Sequence, residues 1–183
     1  MKNNLIHLRA FLSIGLLALF VLLPAGCNTA LSSSDQWRLQ NEAAFLKYEK
    51  DEEYTKVTID GLSPFVMMKW LQRGSGKEYP IETSRVKLHY RYYSLVGNTE
   101  LVDGNYNQES SSIFTINRGT AAQVIVGLRI ALQNMVVGDE AEIIIPWYLA
   151  YGEKASQGLR PYSALRYVVR LDGIVAEAEE NLQ

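Results

Sequence analysis

One cysteine, Cys27, and two histidines, His7 and His89, are the only such side chains among 183 residues. A single cysteine cannot close an internal disulfide or build a thiolate zinc site. His7 lies in the leading segment, so the folded part holds only His89, which argues against metal-assisted hydrolysis on a histidine cluster. No metal and no cofactor are expected. Charge of one sign is equally scarce: 18 lysines and arginines face 20 aspartates and glutamates, a formal net charge of −2. Nucleic acid is not an expected partner, because neutralising phosphates needs a concentrated basic face. The leading apolar run, Ala10 to Leu23, falls short of the roughly 20 residues that a membrane-spanning helix needs. Gly74-Ser75-Gly76 lacks the rest of a phosphate-loop pattern and reads as a turn. Asp51-Glu52-Glu53 reads as a solvated helix end.

What is present begins with a processing signal. Lys2 and Arg9 precede the apolar run, and Pro24-Ala25-Gly26-Cys27 follows it. A basic start, a short apolar core and small residues before a cleavage point describe a secretory signal. The small pair directly before the cysteine resembles the lipobox of bacterial lipoproteins, in which cleavage leaves a lipid-modified cysteine. Pro24 departs from that pattern, with Leu23 one place earlier. The expectation is a signal over residues 1–26, lipidation at Cys27, and attachment to the inner or outer membrane of a bacterial envelope by apolar burial of acyl chains.

Residues 27–34 are small and polar and read as a tether. From Asp35 to Glu53 the chain is charged and free of Gly and Pro, with Trp37, Asn41, Ala44 and Tyr48 at helical spacing and Phe45 beside them. This predicts one amphipathic helix in an N-terminal extension over 35–63. Its stripe is expected to pack on its own domain, with weak homodimerisation as the alternative.

From Pro64 the period changes to two. Val66 to Leu71 reads as a strand. Val86, Leu88, Tyr90 and Tyr92 alternate with Lys87, His89, Arg91 and Tyr93, which predicts a half-buried strand with His89 facing solvent. Phe114 and Ile116, the run Ala141 to Ile145, and alternating Leu165, Tyr167, Val169 and Leu171 mark three more strands. Leu128, Ala131, Leu132 and Met135 fall on one helical face, closed by Gly138. Strands without regular helical crossovers imply an α+β fold: an antiparallel sheet covered by one short helix. The expected domain covers 64–174, with a tail over 175–183.

Eleven tyrosines suit either an ordinary core or a pocket that combines apolar rings with polar tips. The order of motifs favours the pocket. Val86-Lys87-Leu88-His89-Tyr90 leads to Phe114-Thr115-Ile116, then Val124-Ile125-Val126-Gly127-Leu128, Met135-Val136-Val137-Gly138, Ile145-Pro146, Leu149-Ala150-Tyr151-Gly152 and the terminal strand carrying Tyr167. Over residues 64–174 this set resembles the FKBP-type peptidyl-prolyl cis-trans isomerases. The resemblance implies a bent five- to six-stranded antiparallel sheet wrapped on a short helix. It also implies a pocket formed by Tyr90, Phe114, Val124, Ile125, Leu128, Tyr151 and Tyr167, with hydrogen bonds to substrate from the Ile125 N–H and the Tyr151 hydroxyl. Leu128 stands where the family commonly has Trp. The family's Phe-Asp pair is matched by Val102-Asp103 if two residues are inserted, which adds Asp103 to the site. With one inserted, Leu101-Val102 falls there and no acid remains. The implied activity is isomerisation of proline-containing polypeptide clients. The alternative from another class is a peptide-binding chaperone or assembly lipoprotein that turns over weakly.

Overall fold

A computed structural model describes residues 31–59, 61, 63–97, 100–116 and 124–175. The signal over 1–26, Cys27 and residues 176–183 of the tail lie outside the described residues. The first helix, α1, spans Ser33–Tyr48. It starts two residues earlier than its sequence pattern suggests because the Ser32 hydroxyl accepts the Asp35 N–H at 3.0 Å and caps it. Its inner stripe is narrow: Asn41 and Phe45 are buried, whereas Leu39 and Leu46 are exposed.

Among the described residues seven strands follow: β1 Thr55–Val57, β2 Val66–Gln72, β3 Arg85–Ser94, β4 Leu101–Gly104, β5 Ser112–Thr115, β6 Glu140–Ile145 and β7 Leu165–Ile174. They form one antiparallel sheet in the order β1-β2-β6-β7-β3-β4. β5 also pairs with β3, alongside Arg85–Leu88, while β4 pairs alongside Arg91–Tyr93. Two short segments thus share one edge of a ten-residue strand, so seven strands occupy six positions where the family resemblance implies five to six strands. The second helix, α2, spans Val126–Leu132, and a short 3-10 turn covers Trp147–Leu149. The extension over 35–63 contains the strand β1 as well as a helix, because Thr55-Lys56-Val57 adds an edge to β2.

Helix α2 covers one face of the sheet. Leu128, Ile130, Ala131 and Leu132 pack there with Val86, Leu88, Ile143, Ile145, Val169 and Leu171. The helix approaches β6 so closely that a Cβ on Gly127 would stand 2.3 Å from the Ile145 Cγ2, so only glycine fits. The other face of β2 and β6 is covered too, where Phe45 of α1 packs with Met67 and Ile144. Covering both faces explains why β6 reads as a continuous apolar run rather than an alternating one. Asn41 fixes the helix further: its Oδ1 accepts the Ala164 N–H at 2.8 Å and its Nδ2 donates to the Trp37 carbonyl.

His89 does not face solvent. It is 5% exposed, with Nδ1 2.6 Å from Asp172 Oδ2 and Nε2 3.1 Å from the Gln108 carbonyl. Alternation placed it correctly on the face opposite α2, but the segment after β4 folds over that face. Tyr106 of this segment hydrogen-bonds Glu140 and lies 4.3 Å beneath the Arg91 guanidinium. A histidine on a strand's polar face becomes buried when a loop supplies it with partners.

Candidate active site

The inward residues of β3 set one wall of a cavity of about 130 Å³. All eight residues singled out in the sequence line it: Tyr90, Asp103, Phe114, Val124, Ile125, Leu128, Tyr151 and Tyr167. Leu88, Tyr92 and Gln157 complete the lining. The cavity is smaller than the ~300–1,000 Å³ of a drug-sized site, and so suits one ring rather than a whole ligand.

Each wall has a local cause. Tyr90 and Tyr92 point inward by strand alternation, and β7 brings Tyr167 opposite Tyr92 in register. Their rings stack, with Tyr90 meeting Phe114 edge-on at 5.5 Å. Ile125 precedes α2 in extended conformation and turns the chain into the helix, which sets Leu128 one turn on as the floor. Tyr151 follows the 3-10 turn.

Tyr90 is held by a substitute for a strand. Where β4 has ended and β5 has not begun, the Asn105 side chain accepts the Tyr90 N–H at 2.8 Å and donates to the Leu88 carbonyl at 3.0 Å. Its amide continues the ladder as a peptide group would. At the rim the Tyr90 hydroxyl donates to Asp103 Oδ2 at 2.9 Å, and the Gly104 N–H holds Oδ1 at 2.8 Å. That position belongs to the alignment with two inserted residues. Val102, which that alignment would set against the family's Phe, packs against the core.

A second polar group in the lining joins Tyr92, Tyr151 and Gln157. The Tyr92 and Tyr151 hydroxyls are 3.2 Å apart, and Tyr92 donates to Gln157 Oε1. Burial, above all, pushes the Tyr167 and Tyr92 phenols well above the ordinary tyrosine value, with the neighbouring Tyr151 hydroxyl adding to the shift. Burial first and the Asp103 hydrogen bond second raise Tyr90 to about 12. These hydroxyls stay protonated near neutral pH and serve as neutral donors. Among the described residues Asp103 is the one carboxylate in the lining, and His89 lies on the far face of the sheet. The lining therefore offers hydrogen bonds and apolar surface and lacks a nucleophile paired with a base.

Sequence reasoning missed Tyr92, Gln157 and Asn105 as contributors. Tyr92 was within reach, since it alternates in phase with Tyr90. Gln157 and Asn105 are polar loop residues whose side chains act only through tertiary contacts, and no local pattern marks them.

An antiparallel sheet covered by one short helix, with an aromatic cavity lined from both, defines an α+β domain of the FKBP type. Residues 76–172 match the family of FKBP-type peptidyl-prolyl cis-trans isomerases. FK506-binding protein 1 of Eremothecium gossypii is 33% identical over 108 residues, which cover 59% of this chain and 82% of that protein. The FKBP-type 22 kDa peptidyl-prolyl cis-trans isomerase of Escherichia coli is 31% identical over 127 residues, 66% of this chain and 55% of that one. Among solved structures, a peptidyl-prolyl cis-trans isomerase of Pseudomonas syringae superposes with a TM-score of 0.65 at 20% identity, over 80% of this chain and 98% of that one. FkpA of Escherichia coli gives 0.63 at 22% identity, over 77% and 60% of the two chains. The chain belongs to the FKBP-type family and is a peptidyl-prolyl cis-trans isomerase acting on proline-containing polypeptides.

Proposed function

We propose that this isomerase works in the bacterial cell envelope, held to the inner or outer membrane by lipid on Cys27, and speeds the folding of secreted or membrane-bound clients. The observation that carries the catalytic half is the convergence of Tyr90, Phe114, Ile125, Leu128, Tyr151 and Tyr167 on one cavity of ring size. The lipobox-like Ala25-Gly26-Cys27 supports the anchored half.

The X–Pro bond favours trans by only about 0.5–1 kcal/mol, yet rotation faces a barrier near 20 kcal/mol. That barrier is amide resonance, so no bond must break. A twisted amide has lost resonance and carries less charge on its carbonyl oxygen, and it gives up less hydration on entering an apolar cavity than the planar form does. The cavity therefore favours the twisted state over the ground state, which is the condition for catalysis. Leu128 supports the proline ring from below, and the Ile125 N–H and Tyr151 hydroxyl hold the neighbouring carbonyls in a bent pose.

Two measurements test this. Full-length protein in detergent should speed the proline-limited phase of a refolding substrate in proportion to its concentration. Suppressed aggregation with an unchanged slow phase would replace the enzyme reading by the chaperone one. Cells fed labelled palmitate should transfer label to the wild type and not to Cys27→Ser, and equal labelling of both would overturn the anchor.

A further inference from the structure

We infer that Tyr92 and Gln157 are positioning residues that set the direction of the hydrogen bonds ending at Tyr151, and so decide whether the Tyr151 proton reaches the substrate. This rests on the isomerase reading of the cavity.

The argument is a count of protons. A tyrosine hydroxyl has one proton to give and oxygen lone pairs to receive. Tyr92 gives its proton to Gln157 Oε1. Its 3.2 Å contact with the Tyr151 hydroxyl can then be filled only by the Tyr151 proton. In this arrangement the donor needed by a substrate carbonyl points at Tyr92 instead. The Tyr167 hydroxyl also hydrogen-bonds that of Tyr151. As a donor it occupies a lone pair of the Tyr151 oxygen and leaves the Tyr151 proton on Tyr92.

A half-turn of the Gln157 amide reverses the chain. Nε2 then donates to the Tyr92 oxygen, Tyr92 donates to the Tyr151 oxygen, and the Tyr151 proton is free for the cavity. Three hydroxyl or amide rotors move, no covalent bond breaks, and no net proton is transferred. Tyr92, 2% exposed and stacked on Tyr167, keeps its ring in place throughout. Gln157 is exposed, so its amide turns without displacing a packed neighbour.

The backbone at Gln157 is a second, independent pointer. Gln157 and Gly158 have φ of +48° and +78°, and the bridge Ser156↔Leu159 closes around them. Two central residues with positive φ make the tight hairpin turn that selects Asn-Gly, Asp-Gly or Gly-Gly. Turn chemistry alone gives no reason for glutamine there. The length of its side chain, one methylene beyond Asn, is what reaches Tyr92.

The test uses full-length protein and NMR exchange on a proline tetrapeptide between about pH 4 and pH 8, a range spanning the ordinary Glu value of ~4.3. Gln157→Glu replaces the amide by a carboxylate that only accepts, which locks the chain away from the substrate. Its KM should rise about fivefold at neutral pH with kcat little changed, in keeping with the loss of one hydrogen bond. The loss should fade as the pH falls through the Glu value, because a protonated carboxyl donates again, while the wild-type profile stays flat. In a Tyr92→Phe background the same substitution should have no effect. Gln157→Asn, which suits the turn better but is too short, should fold normally and lose the control. A pH-independent loss in Gln157→Glu, or an equal loss in the Tyr92→Phe background, would overturn the inference. If the wild type does not speed exchange, the isomerase reading fails, and the same variants are compared by peptide affinity, where the pH-dependent loss tests the proton direction on its own.

Discussion

Tyr92 and Tyr167 face each other across β3 and β7 as register partners, their rings 4.5 Å apart and tilted by only 10°. The pair is at once core and cavity wall, since both residues belong to the buried cluster and both line the site. Tyr167→Ala should therefore lose about 3–5 kcal/mol of stability in urea titrations, as large aromatic deletions do, and should abolish peptide binding under conditions where it still folds.

Tyr151 lines the cavity beside this stack without being part of the fully buried cluster. Tyr151→Phe removes one hydroxyl and leaves the ring. Its stability in urea should fall only modestly, by about 1 kcal/mol for the lost contacts with the Tyr92 and Tyr167 hydroxyls, and kcat/KM should fall about three- to tenfold. An unchanged kcat/KM would show that the hydroxyl makes no bond to substrate.

Leu128 forms the floor of a cavity of only about 130 Å³, with Tyr92 beside it. Leu128→Trp restores the residue common in the family but adds an indole where the space is already taken. Overpacking should cost about 1–3 kcal/mol, and peptide affinity should fall rather than rise. Calorimetric unfolding and peptide titration read the two effects separately.

Much of this architecture can be read from the sequence, and the reasons are local. Alternation in Val86–Tyr93 and Leu165–Asp172 reflects strands with one face on the core, and the helical face of Leu128, Ala131, Leu132 and Met135 reflects burial against that core. Both follow from periodicity. The eight cavity residues were reached through the resemblance of the ordered motifs to the family, since periodicity alone marks none of them as a site. The strands β1 and β4 are short and mostly exposed, so no apolar period marks them. His89 departs from its pattern for a related reason: a strand's alternation records its two faces and not the loop that lies across one of them. Gln157 acts through a single tertiary contact and leaves no trace in its neighbours.

Asn105 illustrates what such contacts carry. Its side chain serves both the Tyr90 N–H and the Leu88 carbonyl, and also donates to the Ser112 hydroxyl at 2.9 Å. Asn105→Ala leaves these buried groups without partners and should cost about 2–3 kcal/mol by urea unfolding. Amide exchange at Tyr90 should speed up more than at Val169 on the neighbouring strand.

Alkaline pH should loosen the fold through the buried phenols. Tyr90 is raised to about 12, and burial lifts Tyr92 and Tyr167 further. In the unfolded chain these groups return to their ordinary value of 10.0. From about pH 10 upward the unfolded state sheds protons that the folded state keeps, so stability is complete below that point and falls as pH rises through 12. Urea midpoints taken at intervals above neutrality should be level up to about pH 9 and then decline. A level line to pH ~12 would contradict the burial of these hydroxyls.

The stretch that identifies the family, residues 76–172, begins after β2 has ended. Cut out by itself, it would lose the strand that pairs with β6 from Met67↔Ile144 to Gln72↔Glu140, together with the Phe45 side chain that covers Ile144. β6 would then present unpaired backbone beside Ile143, Ile144 and Ile145, a template for joining other copies strand to strand. The edge and outer face of β6 are thus covered by the segment from Ser32 to Gln72, which carries none of the cavity residues. The cavity's chemistry is encoded in one stretch of the chain, and the cover over that stretch's open strand edge in another.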